Sequence, residues 1–364
     1  MTVNDIAKVL EELAPLAHAE DFDNVGLLVG NPTTKVNGVL VTLDTLENIV
    51  DEAIAKNCNL IVSFHPIIFK GLKKLTGSNY VERVVIKAIA NNIAIYSMHT
   101  ALDNSKMGVN AKICEVLGLE NPQILIPKSN TIKKLSTYVP LANVDEVKNA
   151  LFNAGAGEIG KYSHCSYSLE GTGSFKPQEG ANPTLGEVGE VHLEKETQIN
   201  IVFSFEKEKQ VIKALLDTHP YEEVAYEILT IENTNQDLGM GMIGALPKEM
   251  DETEFLLLVK KRMNASVVRH SQLLGKKVKK IAVLGGSGAF AIGPAMKAGA
   301  DIFVTSDIKY HEFYQAENQL VIADIGHFET EQFTKDLLVD YLTKKIPNFA
   351  VRLSESITNP IKYL

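Results

Sequence analysis

The sequence predicts an α/β protein of two similar lobes with mostly parallel sheets, interrupted by a smaller inserted α+β module. Three observations carry that prediction. Short, continuously apolar runs alternate with amphipathic stretches over residues 1–125, strand-like segments with one polar face replace them between about 130 and 235, and the first pattern returns from about 240. Continuous apolar strands between helices belong to parallel sheets covered on both faces, whereas polar–apolar alternation marks strands with one solvated face.

In the first lobe VNDIAKVLEELAP, ENIVDEAIAKN, VERVVIKAIANN and VNAKICEVLGL read as helices, and GVLVTLD (38–44), NLIVS (59–63) and NIAIYS (92–97) as strands. In the middle, TIKKLSTYVP, HCSYSLEG and QINIVFSF read as strands, with helices near 143–154 and 206–217. The Gly- and Pro-rich stretch 170–190 reads as a long loop or hairpin region. KKIAVLGGSG, ADIFVTSD and NQLVIADIGH then form three strand-to-loop units, and EQFTKDLLVDYLTKK a closing helix. Domains at 1–128, 129–236 and 237–364 follow, the first and last being the two lobes.

The chain of 364 residues is long for a single core. Lys+Arg 36 against Asp+Glu 45 gives a net charge of −9, which excludes a general nucleic-acid binder without a segregated basic patch. The densest basic run, KKVKK (276–280), reads as a solvated strand entry. Acidic residues interrupt the apolar runs of the N-terminus, so it reads as an amphipathic helix and not a signal peptide. No run approaches the ~18 apolar residues of a membrane span. Cys58, Cys114 and Cys165 form no CxxC pair, suit a reducing cytoplasm, and do not read as metal ligands.

Chemistry collects just past the predicted strands. Asp44 follows the first, His65 the second, and His99 with Asp103 the third; Gly285–Gly288, Asp307 and His327 follow the last three. Ligands of open parallel sheets bind beyond these carboxyl ends. Pro66 restricts His65 to extended conformations, giving it a stiff backbone. His99 and Asp103 share a helical face, as do His327 and Glu331, while Glu329 falls off it. Structural readings stand beside these: a core histidine at 65, a helix cap at Asp103, and carboxylates at 329 and 331 complementing a helix dipole. Taken together, two histidines and two carboxylates make a mixed N/O set suited to Zn²⁺, Mn²⁺ or Fe²⁺, closing round one cation or bridging two.

GGSGAFAIG (285–293) has dinucleotide-loop spacing, with Asp307 at the distance of a ribose partner. The favoured reading is a glycine loop, Gly286, Ser287 and Gly288, that offers N–H groups to a substrate phosphate or carboxylate. HPYEE (219–223) holds a His and two Glu, but lies in the inserted module and reads as shaping a loop.

AEDFDNVGLLVGNP (19–32), SFHPIIFKG (63–71), HTALDNSKMGVN (99–110), GGSG (285–288), TSDIKYHE (305–312) and GHFETE (326–331) occur in order over almost the whole chain. In them the chain resembles the NGG-interacting-factor-three-like family, whose bacterial members are often labelled GTP cyclohydrolase I type 2 homologues. The middle region resembles the ferredoxin-like, PII/CutA-like insertion of the longer members. The resemblance implies a dinuclear Zn, Fe or Mn site between the lobes, and a ring-shaped homohexamer. It makes His65, Asp103, His327 and Glu331 metal ligands. Many relatives carry His-His where this chain has Phe64-His65, so one of the two metals loses a protein ligand unless water, His99 or Asp307 substitutes. Phe22 also stands where Trp is frequent. The activity implied is a metal-dependent hydrolase acting on a nucleotide or related small molecule, with His99 or His311 as proton shuttles. The alternative is a non-catalytic metal-binding or regulatory protein, which a PII-like module favours.

Overall fold

Side-chain parity along the strands organises most of the molecule. In Val39–Thr42, Val39 and Val41 enter one core and Leu40 another; Leu60 and Val62 oppose Ile61, and Ala94 and Tyr96 oppose Ile95. Successive side chains point to opposite faces of a strand, so a strand buried on both faces must be apolar throughout. The computed structural model describes residues 1–364. They form two compact units, one of Met1–Pro127 with Gln236–Leu364 and one of Lys128–Asn235.

The larger unit holds two sheets. The first runs in the order Gly26–Val29, Ala94–Ser97, Leu60–Ser63, Val39–Thr42, Val351–Leu353, all parallel except the Gly26–Val29 edge. The second runs Arg269–His270, Val321–Asp324, Ile302–Ser306, Lys277–Ser287, Asn235–Asp251, Glu120–Lys128, with its three middle α/β strands parallel. Helices Val3–Leu13, Val109–Leu117, Glu252–Arg262 and Thr334–Lys345 supply Leu10, Ile113, Phe255 and Leu338 to a core shared by both sheets. Glu47–Ala55 and Tyr80–Ala90 cover the first sheet's other face, and Ile292–Lys297 the second's. No helix is long and apolar enough to cross a membrane.

The two halves exchange edge strands, which the division into sequential lobes does not anticipate. Val351–Leu353, from the end of the chain, pairs with Val39–Thr42, and Glu120–Lys128 edges the second sheet. Asn235–Asp251, to which the sequence pattern assigns no element, is a long strand of the second sheet. A Cβ at Gly239 would lie 2.1 Å from the Ile126 carbonyl oxygen, so the glycine permits close strand approach.

The smaller unit follows a strand–helix–strand–strand–helix–strand path. Its antiparallel sheet has the order Ser166–Phe175, His192–Ser204, Ile132–Pro140, Tyr226–Ile231, which is the ferredoxin-like βαββαβ arrangement. Val144–Asn153 and Glu208–Thr218 pack Val147, Leu151, Val211 and Leu215 over Leu135, Ile199 and Phe203. The stretch 170–190, expected as a long loop or hairpin region, is a hairpin: residues 170–175 complete the strand Ser166–Phe175, whose ten successive pairs with His192–Ser204 hold it extended despite Gly171 and Gly173.

Candidate metal centre

The parity of Leu60–Ser63 continues past the strand's end. Residues 60, 62 and 64 share one core, so Phe64 is fully buried and His65 is the first residue left at the sheet's edge. The His65 N–H donates to the Leu43 carbonyl at 2.9 Å, and Ser63 Oγ donates to the His65 carbonyl at 2.9 Å. With Pro66 following, the backbone here is fixed on both sides. Asp44, just past the neighbouring strand, then meets the ring: His65 Nδ1 lies 2.8 Å from Asp44 Oδ1.

The second sheet repeats the device. Asp307 follows Ile302–Ser306, and His327 opens the short helix His327–Glu331 after Val321–Asp324. His327 Nδ1 lies 2.7 Å from Asp307 Oδ2, which also accepts from Ser287 Oγ. Asp307 has φ +57°, a left-handed conformation that aspartate tolerates better than most residues. A carboxylate on Nδ1 fixes each imidazole's orientation and leaves Nε2 to make the outward contact. Both Nε2 atoms point to Glu331 Oε2, at 3.1 Å from His65 and 3.2 Å from His327.

Burial pushes the Glu331 carboxyl up, but the two imidazoles outweigh it and hold the group at about 2. Burial likewise works against charge on the rings. Asp44 and Glu331 nevertheless raise His65 to about 10, and Asp307 and Glu331 raise His327 to about 11. Asp103, buried and close to Glu331, is driven well above the carboxylate range by burial first and the Glu331 charge second. Asp103 Oδ1 and Glu331 Oε2 are both buried without a well-aligned hydrogen bond. For Asp103 Oδ1 that costs about 1–3 kcal/mol, whereas Glu331 Oε2 keeps its two imidazole contacts. His65, His327 and Glu331 offer ligand atoms within 4.8 Å of one another and can hold a metal ion. Two imidazole nitrogens beside two under-bonded carboxylates fit a divalent cation of the Zn²⁺, Mn²⁺ or Fe²⁺ kind.

The glycine turn makes room for this cluster. Gly286 has φ +70°, and a Cβ there would lie 2.5 Å from Glu331 Oε1. Its N–H donates to Thr330 Oγ1 at 3.0 Å, and the Gly285 N–H donates to Asn110 Oδ1 at 3.0 Å. Asn110 also donates through Nδ2 to the Asp103 carbonyl at 3.2 Å, tying the two halves together at the site. A cavity of about 240 Å³ opens here, lined among others by Phe22, His99, Asp103, Gly286, His327 and Glu331.

Residues 1–360 match the Duf34/NIF3 (NGG1p interacting factor 3) family. The chain belongs to that family. It is 41% identical to a Bacillus subtilis protein named GTP cyclohydrolase 1 type 2 homolog, across 99% of this chain and 98% of that one. A Staphylococcus epidermidis protein of the same name is 34% identical over the full length of both. Among solved structures, a Bacillus cereus protein related to NIF3 superposes with a TM-score of 0.88 at 37% identity, covering 100% of this chain and 99% of that one. Reduced HcgD from Methanocaldococcus jannaschii shares the fold, with a TM-score of 0.58 at 19% identity and 98% of each chain covered.

In this NIF3-family chain the structure gathers His65, His327 and Glu331 into one cluster and sets Asp103 beside them. Asp103 is not a helix cap: it ends the helix His99–Asp103, and Gly108 precedes the next one. His99 lies near, its ring 5.3 Å from that of His65, and its Nδ1 is 2.8 Å from Asp23 Oδ1. Phe64 sits against both, 4.9 Å from the His65 ring and 5.5 Å from His99.

His311 falls elsewhere; it is exposed between Tyr310 and Tyr314 and does not line the cavity. Gly286 and Ser287 line the cavity and Gly288 does not. The N–H groups of Gly286 and Gly288 are taken by Thr330 and the Ser306 carbonyl, so they are not free to cradle a phosphate. Asp307 is likewise committed to His327, not to a ribose. Asp23 and Asn110 lie within the motifs AEDFDNVGLLVGNP and HTALDNSKMGVN, yet neither is assigned a role from the sequence. Neither carries a periodicity that would mark it.

Proposed function

We propose that this chain is a cytoplasmic metal-dependent hydrolase acting on a nucleotide or related small molecule. The observation that carries the reading is the convergence of His65 Nε2 and His327 Nε2, from opposite halves of the chain, on Glu331 Oε2 beside Asp103, whose buried Oδ1 has no hydrogen bond. His65, Asp103, His327 and Glu331 would hold Zn, Fe or Mn, which would supply Lewis acidity and lower the pKa of water. Asp44 and Asp307 keep the two rings oriented. His99 donates through Nδ1 to Asp23, which leaves Nε2 as the atom that accepts a proton at the cavity wall. Phe22 and Phe290 bound the same cavity with apolar surface and limit water there. The relatives' shared name supports a nucleotide as the substrate class. Two cations per chain, a homohexamer, and a PII/CutA-like role for the βαββαβ unit belong to the same proposal.

One observation favours a second reading, a non-catalytic metal-binding or regulatory protein. Phe64 is fully buried and its ring cannot coordinate, so this side of the site offers one ligand fewer than a His-His pair would. Metal content per chain decides between them, measured by plasma mass spectrometry on protein purified without chelator, beside His65→Ala and His327→Ala. Near two metals per chain, lost in both variants, together with consumption of GTP or another nucleotide, supports the hydrolase. One metal or fewer under metal excess, with every nucleotide untouched, sinks it. Light scattering tests the hexamer.

A further inference from the structure

The HPYEE segment builds a second, separate cavity inside the inserted unit. This cavity has a volume of about 520 Å³, within the range of small-molecule sites. Tyr138, Phe175 and Tyr221 provide aromatic walls, and Pro183 and Leu185 reach it from the segment between the strands Ser166–Phe175 and His192–Ser204. Glu196 stands among them and is only 8% exposed. Tyr221 Oη donates to Glu196 Oε1 at 2.8 Å; Lys176 also lines the cavity but makes no ion pair with this carboxylate. The adjacent Lys195 ammonium goes instead to Thr172 Oγ1 at 3.0 Å.

Several contacts keep this arrangement in place. Gly173 clears space for the carboxylate, since a Cβ there would lie 2.1 Å from Glu196 Oε2. His219 Nε2 donates to the Tyr138 carbonyl at 3.0 Å, and its Nδ1 accepts from the Tyr221 N–H at 3.2 Å. That tautomer is the neutral ring, so His219 does not supply the missing positive charge. Burial, which lowers the His219 pKa, agrees. Glu222 Oε2 accepts from the Asn182 N–H at 2.9 Å, and Thr184 Oγ1 donates to the Pro220 carbonyl at 2.7 Å, pinning the covering segment.

A buried carboxylate without a cation is costly, and apolar aromatic walls around it exclude the water that would otherwise solvate it. Aromatic faces also attract cations directly. We propose that this cavity binds a small organic cation, a protonated amine or amidinium on a planar or apolar body, with its N–H groups on Glu196 and its body among Tyr138, Phe175 and Tyr221.

Calorimetric titration of the full chain tests this with benzamidinium as probe, benzamide as the neutral molecule of the same shape, and benzoate as the anion. Benzamidinium is expected to bind at least about tenfold more tightly than benzamide, with benzoate silent. Glu196→Gln should weaken benzamidinium by at least about tenfold. Tyr221→Phe should hold or tighten it, because Glu196 loses its only donor. A purely structural role for the Tyr221 hydroxyl would instead weaken binding. Should Glu196→Gln fail to fold by circular dichroism, Tyr221→Phe and Phe175→Ala carry the test, the latter weakening the probe. No binding at about 10 mM, equal affinity for benzamidinium and benzamide, or a folded Glu196→Gln protein with unchanged affinity overturns the proposal.

Discussion

His65 with Asp44 and His327 with Asp307 are built alike, each aspartate ending one parallel strand and each histidine following the next. They differ in what backs the aspartate. Asp307 is supported locally by Ser287, from the adjoining strand of its own sheet. Asp44 is supported by Thr358 Oγ1, 314 positions away, at 2.5 Å. The tail that delivers Thr358 is anchored on Glu52, which accepts from Ser354 Oγ at 2.8 Å and from the N–H groups of Glu355 and Ser356 at 2.8 and 3.1 Å. The first ring is also the more enclosed, 23% exposed against 38% for His327. One geometry is thus reached by a local support in one half and by a long-range tether in the other.

The carboxylate common to both pairs gives the largest expected effect. Glu331→Gln leaves two imidazoles facing a neutral amide in a buried site, a loss of about 3–5 kcal/mol in urea denaturation. Metal content should fall to near zero; retention of half would show that the two pairs bind independently. Gly286→Ala, on the second half's side of the site, reaches both pairs through Glu331. Its left-handed backbone and the displaced Glu331 should together cost about 2–3 kcal/mol by the same measurement. An unchanged midpoint would mean that the turn relaxes.

Asp44→Asn and Asp307→Asn compare the supports directly. Metal affinity, read by competition with a chromogenic chelator, should drop about 10- to 100-fold in each. The fall should be larger for Asp44, the aspartate of the more enclosed ring; equal losses would remove the asymmetry. The smallest effect concerns the tether. Burial raises the Glu52 carboxyl, but Lys56 and the tail donors outweigh it and hold the group at about 2, below its ordinary 4.5. A depressed carboxylate stabilises fully above the unfolded value, and that contribution fades as pH falls from 4.5 toward 2. Glu52→Gln should therefore cost about 1 kcal/mol at neutral pH and flatten the acid side of the stability curve. A variant with the parent's acid profile would contradict the anchor.

Much of the larger unit's fold is legible because its determinants are local. Alternating apolar strands and amphipathic helices name an α/β protein, and the parity of residues 60, 62 and 64 explains why Phe64 is core while His65 is not. What escapes are segments whose residues suggest something else in isolation. Asn235–Asp251 carries no pattern that marks a strand, and residues 172–175 sit in a Gly- and Pro-rich stretch, yet cross-strand pairing holds both extended. In the site, His327 and Glu331 are visible at one helical turn's spacing. Asp23, Asn110 and the backing roles of Asp44 and Asp307 are not, since each acts on a residue distant in sequence.

By itself, then, the chain determined its strand-and-helix alternation, the stiff His-Pro step at 65–66 and the His327–Glu331 pair, because each depends on the backbone geometry of a few neighbouring residues. Only the tertiary structure decided that the halves exchange edge strands, that His65 and His327 meet on one carboxylate, and that Gly286 leaves room for it. Those outcomes depend on how two sheets come together over a common core, and a contact spanning hundreds of residues leaves no local pattern to read.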